Sequence, residues 1–200
     1  MTITNLFASP LYQITLGAPA LLVDLAHSIR TFAIDDTAGR RWCRDHGYKG
    51  YTSYASLDDL PTRDPSIAAL KRQLDRHARI FVDQLAFDFG GRKPRLDSLW
   101  VNLLKPGGHH AAHLHPNSFL SGSFYVEVPP ASGAIRFEDP RLAMMMAAPM
   151  RRDDAPEERR NFVDVDPAAG MLLLWESFLR HEVRPHTGKG ERLSVSFNYA

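Results

Sequence analysis

The stretch Arg192-Leu193-Ser194-Val195-Ser196-Phe197-Asn198-Tyr199 alternates without a break, apolar on one side and Arg-Ser-Ser-Asn on the other. Successive side chains of a strand point to opposite faces, so this pattern predicts a β-strand with one apolar and one polar face. The same period of two spreads outward through the second half of the chain. Leu99, Val101 and Leu103 alternate with Trp100 and Asn102, while Leu120, Phe124, Val126 and Val128 oppose Ser121, Ser123 and Tyr125. Ile135 and Phe137 oppose Arg136 and Glu138, and Met171 to Trp175 is a continuous apolar run. Pro-Gly, Pro-Pro and glycine-rich turns separate these segments, as in a barrel or a double-sheet sandwich.

Before Pro94 the period is close to four. Pro19 opens a helix whose stripe is Leu21, Leu22, Leu25, Ile29 and Phe32. Asp64 followed by Pro65 is a second helix start, and Ile67, Leu70, Leu74, Ala78, Phe81 and Leu85 carry that helix to about Asp88, with Gly90-Gly91 as its stop. Residues 35–60 between them read as irregular. Residues 141–161, with Met144-Met145-Met146 and two charged runs, form a long connection that reads either as a lid or as a solvated excursion. The expected organisation is one domain over residues 1–200: a helical portion over 1–95 packed on one face of a β core over 96–200.

Composition narrows the function. The chain has 200 residues, 44% of them hydrophobic, with 24 Lys+Arg against 23 Asp+Glu and a net charge of +1. Such a balance is globular and gives no basic excess for a nucleic-acid partner. No apolar run approaches a membrane span, and the first basic residue is Arg30, so no secretory leader is expected. A single cysteine, Cys43, makes no internal disulfide and points to a reducing, cytoplasmic setting. The anomaly is histidine: nine in all, four of them between His109 and His115.

On a strand, His113 and His115 point to the same side and can present two ring nitrogens to one metal ion. His181, after the most buried strand, is the best third ligand. A histidine-rich surface turn is the bland alternative. His109 and His110 are expected to support the site or face solvent, His27 and His77 to be ordinary helix-face residues, and His186 to be exposed. Arg192, on the polar face of its strand, needs an anionic partner if that face lines a cavity. Its planar guanidinium and the hydroxyl of Ser194 together suit a carboxylate.

The order His-x-His, Ser121-Gly122-Ser123-Phe124-Tyr125, Phe137-Glu138-Asp139-Pro140, His181-Glu182-Val183 and Arg192-Leu193-Ser194-Val195-Ser196-Phe197-Asn198 resembles a largely uncharacterised branch of the 2-oxoglutarate/Fe(II) oxygenases. The resemblance covers residues 96–199, with traces in residues 48–60 and the helix before Gly90. It implies a mainly β, α+β fold with a double-stranded β-helix (jelly-roll) core. It also implies Fe(II) on His113 and His181, and 2-oxoglutarate held by Arg192 and Ser194, with Tyr125 and Asn102 lining the pocket. The reaction implied is oxidative decarboxylation of 2-oxoglutarate to succinate, coupled to hydroxylation of a small-molecule or peptide substrate. One departure stands out: most of the superfamily has a carboxylate where this chain has His115. Strand parity favours a three-histidine site; His115 turned away, or a carboxylate from Glu138 or Asp139, are the other readings. Three histidines also suit a hydrolytic or hydrating zinc centre, although zinc chemistry does not require the Arg192/Ser194 clamp. A jelly roll that binds a small carboxylate without catalysis is the remaining reading.

Overall fold

A computed structural model describes residues 2–200. In chain order its elements are β1 (Leu11–Thr15), α1 (Pro19–Asp35), α2 (Thr37–Asp45), β2 (Gly50–Thr52), α3 (Leu60–Arg63), α4 (Pro65–Gln84), β3 (Leu96–Leu104) and β4 (His110–His113). They continue with β5 (Leu120–Glu127), β6 (Ile135–Glu138), β7 (Phe162–Val165), β8 (Met171–Glu176), β9 (His181–Val183) and β10 (Arg192–Tyr199). The strands form two antiparallel sheets, a larger one in the order β1-β8-β5-β10-β3-β2 and a smaller one in the order β4-β9-β6-β7. From β3 to β10 the chain passes back and forth between the sheets, except where β6 pairs with β7, which is the double-stranded β-helix.

The period-two faces decide what packs where. Leu193, Val195, Phe197 and Tyr199 of β10, with Leu99 and Val101 of β3 and Leu172 and Leu174 of β8, turn outward from the larger sheet. They share one core with Leu25 and Ile29 of α1 and Ile67, Leu70, Leu74 and Phe81 of α4. Each fully buried Leu or Phe there contributes about 1.5–3 kcal/mol. Polar clips fix the helices to the sheet. The Tyr199 hydroxyl donates to Asp75 (2.8 Å), Tyr12 bonds His77 Nδ1 (2.8 Å), and Arg30 grips Glu127 through two bonds of 2.9 and 2.6 Å. His77 is therefore a buried link between α4 and β1 rather than an ordinary helix-face residue.

The inner face of the larger sheet is divided. Tyr125, Met171, Leu173 and Trp175 pack against Ile135 and Phe137 of the smaller sheet and Leu179. On β3 and β10 the inner positions include Asn102, Arg192, Ser194 and Asn198, which are buried, and Trp100 and Ser196, which are partly exposed. This polar half is where the fold leaves room.

Three expectations change. The helix from Pro65 ends at Gln84, short of Asp88, because Ala86 takes a left-handed φ of 55° and turns the chain back. The turn lets Phe87 and Phe89 meet Phe119, the latter pair at a 4.9 Å centroid separation, and Gly90-Gly91 then only lead into β3. Residues 35–60 are ordered: Asp36 caps α2 through the Gly39 amide (2.9 Å) and accepts from Tyr51 (2.8 Å) and Ser56 (2.5 Å). Finally, β1 and β2 come from the portion read as helical and form the two edges of the larger sheet, so the division at residue 96 is crossed on both sides. Gly50 is required at one of these edges: its φ is +139°, and a Cβ there would lie 1.9 Å from the Leu103 carbonyl oxygen.

Candidate metal centre

Strands β4 and β9 pair so that His113 lies directly opposite His181, and the chain leaving β4 brings His115 beside both. Ring centroids are 4.4 Å apart for His113 and His181, 5.1 Å for His113 and His115, and 5.3 Å for His115 and His181. One ligand atom from each lies within 4.8 Å of the others. The His115 amide donates to the Ser177 carbonyl (3.2 Å), which fixes the chain just past the strand end.

The ring nitrogens are sorted by their partners. His113 Nδ1 contacts the Ala111 carbonyl (2.7 Å) and His181 Nδ1 the Leu179 carbonyl (3.0 Å). A carbonyl only accepts, so each Nδ1 carries the hydrogen and each Nε2 keeps its lone pair for a metal. Burial, followed by the nearby His113, holds His181 down to about 3 and His115 down to about 4. Both rings are neutral at physiological pH, the state a metal ligand needs.

Among the described residues, no Asp or Glu belongs to this group. The two carboxylates weighed from sequence are engaged elsewhere: Glu138 with Arg180 at 3.4 Å and Asp139 with Arg141 at 2.8 Å. His115 stands with the other two histidines, and neither carboxylate belongs to the group.

Arg192 is 2% exposed. Its Nη1 donates to the carbonyls of Ser132 (3.3 Å) and Gly133 (3.2 Å), its carbon lies 5.7 Å from the Tyr125 ring centroid, and its Nε is buried with no acceptor. Burial lowers its basicity, partly offset by Tyr125 and Tyr48. No carboxylate of the described chain reaches it within ion-pair distance, an expensive arrangement unless a bound anion completes it. Ser194 is buried two residues along the same face. Asn102 accepts from Thr52 (2.8 Å) and donates to Ser196 (3.0 Å).

Several contributors lack a sequence signal. His186, expected in solvent, is 1% exposed; its two ring nitrogens contact the Ala131 (3.1 Å) and Gly190 (3.1 Å) carbonyls. It thereby pins the turn whose carbonyls hold Arg192. His110 is bonded to the Tyr48 hydroxyl at 2.9 Å, and burial followed by Arg192 lowers it to about 3. Trp175, 4.8 Å from His181 by ring centroids, has a buried indole N–H without an acceptor. The distant partners carry no sequence signal: Tyr48 lies 62 residues from His110, and Ala131 lies 55 from His186.

The triad, Tyr48, His110, Asn102 and Trp175 border one cleft of about 760 Å³. A second cleft, of about 1000 Å³, contains none of them and is bordered by the amino-terminal segment and by Arg141, Arg151 and residues 157–161. Convergent donors, rather than size, identify the first as the site. The long connection of 141–161 borders only the second cleft, and of the two readings left open by the sequence its position favours the exposed excursion.

The family described as "Putative 2OG-Fe(II) oxygenase" matches residues 98–198, half of the chain. No curated protein matches. Among solved structures, a Pseudomonas putida prolyl-4-hydroxylase is similar at 20% identity, covering 96% of this chain and 92% of that one, with a TM-score of 0.61. AviO1 from Streptomyces viridochromogenes gives 17%, 96%, 90% and 0.60 in the same order. HygX from Streptomyces hygroscopicus, solved with nickel, 2-oxoglutarate and hygromycin B, gives 15%, 96%, 83% and 0.62. At these identities the likenesses speak for the shared fold.

Proposed function

The chain belongs to the 2-oxoglutarate/Fe(II) oxygenase family and is an Fe(II)/2-oxoglutarate-dependent oxygenase, and from that premise we propose the role of each site residue. His113, His115 and His181 hold the iron, and Arg192 with Ser194 takes the far carboxylate of 2-oxoglutarate, with Tyr125 and Asn102 at its sides. The observation that carries this reading is the buried guanidinium with a free Nε and no carboxylate of its own. Three ring nitrogens left free by Nδ1 bonds or kept neutral by burial fit the metal in the same way.

Bound iron and 2-oxoglutarate supply oxygen activation, with oxidative decarboxylation to succinate coupled to hydroxylation of a second substrate. The residues of the chain bind, orient and exclude water. The Ala111 and Leu179 carbonyls fix the tautomers of His113 and His181. Three neutral ligands leave the full dipositive charge on the metal, which strengthens its hold on an anionic cosubstrate. Arg192, anchored by Ser132 and Gly133, presents its remaining edge as a bidentate carboxylate donor. Phe137 and Trp175, packed beside His181, keep that side of the centre dry.

The substrate we propose is a small molecule or a peptide side chain; among the described residues the cleft has no lysine or arginine on its border for nucleic acid. No helix of the described residues is long and apolar enough to cross a membrane. The buried, unpaired Cys43 supports a cytoplasmic setting. The test is succinate formation from 2-oxoglutarate with added Fe(II) under oxygen. Slow, oxygen-dependent turnover without a second substrate is expected; no turnover together with no saturable 2-oxoglutarate binding would refute the assignment.

A further inference from the structure

The mouth of the histidine cleft is walled by aromatic rings. Trp100 lies between Tyr54, edge-on at 5.3 Å, and the candidate ligand His115 at 6.0 Å by ring centroids. Trp42 extends the wall 6.3 Å beyond Tyr54, and His46 covers one face of it at 4.2 Å. Tyr54 is 63% exposed although it borders the cleft. Large rings left open in this way, beside a cleft of about 760 Å³, are suited to contact with a small ligand.

Charge on the border is one-sided. Among the described lining residues Asp97 is the only Asp, Glu, Lys or Arg. Arg192, the buried cation nearby, is committed to the cosubstrate in the reading above. With the two charges of the metal answered by the dianionic cosubstrate, a substrate carrying a phosphate or carboxylate finds no lysine or arginine among the described residues of this border. A cation finds indole and phenol faces, whose quadrupoles attract positive charge, together with one carboxylate.

We propose that the cleft takes a substrate bearing an organic cation, an alkylated ammonium group, seated against Trp100 and Tyr54 with Asp97 as its counter-charge. This rests on the oxygenase reading, because contact with Trp100 brings the substrate beside His115 and hence beside the metal.

The test compares choline with its uncharged carbon isostere 3,3-dimethylbutan-1-ol, titrated into the full chain loaded with nickel and 2-oxoglutarate. Tryptophan emission is the readout, since all three tryptophans, Trp42, Trp100 and Trp175, border the cleft. Choline is expected to bind about tenfold more tightly than the isostere. Trp100→Ala should abolish that preference, Trp100→Phe should retain part of it and Asp97→Asn should weaken it, all with unchanged 2-oxoglutarate affinity. Equal affinity for the two ligands, or a preference that survives in both Trp100→Ala and Asp97→Asn, overturns the proposal. Failure to bind choline with 2-oxoglutarate binding intact overturns the cation site alone. Loss of metal and 2-oxoglutarate binding in the unaltered chain removes the oxygenase reading itself.

Discussion

At Arg192 a guanidinium almost wholly withdrawn from water meets two carbonyls, an aromatic ring and no carboxylate. In the unliganded protein that charge costs stability; in the proposed assignment a bound carboxylate offsets the cost and makes Arg192 the anchor of the site. Arg192→Met should therefore leave unliganded stability unchanged or slightly raised while weakening 2-oxoglutarate by about 30-fold or more, as expected for losing a buried charge partner. Calorimetric titration of 2-oxoglutarate and of metal checks this; metal affinity should be spared. For His115, comparison of iron content in His115→Ala and His113→Ala is decisive. Both should lose at least about tenfold in metal affinity, and an unaffected His115→Ala would reduce the centre to two histidines. These residues were legible because their message is local: two histidines one residue apart, and an arginine on the polar side of an alternating strand. Tyr48, His110 and His186 were not, since each acts through a partner placed by the fold, 62 residues away for the Tyr48–His110 bond.

Helix starts and strand faces repeat this division one level up. Asp64 was readable as the cap of α4, and its carboxylate accepts from the amides of Ser66 (2.8 Å) and Ile67 (3.0 Å) as well as from Ser28 on α1 (2.7 Å). Burial alone would raise its pKa, but the hydrogen bonds from Ser66, Ser28 and the two amides outweigh it and hold the group below the usual aspartate range. A folded pKa depressed below the unfolded one means the stabilisation is complete above the unfolded value, near 4, and is lost as pH falls through the folded value. Asp64→Ala should cost about 1–2 kcal/mol at neutral pH, lowering Tm by about 2–8 °C, with the deficit shrinking below about pH 4. Thermal melts across pH measure both effects. The end of α4 was misread because the turn at Ala86 answers to Phe87, Phe89 and Phe119, and Phe119 lies far along the chain. Strand β2 escaped notice for a similar reason: three residues carry no periodicity, and only pairing with β3 makes them a strand.

For the whole molecule, the proposed assignment of residues would have the ligands bridge the two sheets. The triad hangs on the smaller sheet, through β4 and β9, while Arg192 and Ser194 belong to the larger one. Metal and 2-oxoglutarate should therefore each stabilise the fold by mass action, by about 2.7 kcal/mol for each ligand held at 100 times its dissociation constant and about 5.4 kcal/mol for the two together. Melting scans should show Tm rising on addition of metal and again with 2-oxoglutarate, falling back with a chelator, and showing no second rise in Arg192→Met. The sequence by itself determined the strand faces, the main helix starts and the His113/His115 and Arg192/Ser194 candidates, which rest on periodicity or short spacing; it marked His181 by its place after the most buried strand, and the family by the order of motifs along the chain. The tertiary structure alone decided that the amino-terminal half closes both edges of the larger sheet, that His115 joins the triad while Glu138 and Asp139 are bound elsewhere, and that the 141–161 segment lies away from the histidines. Those outcomes depend on contacts between residues far apart in the chain, and no local pattern encodes which distant partner a buried donor or an open sheet edge will find.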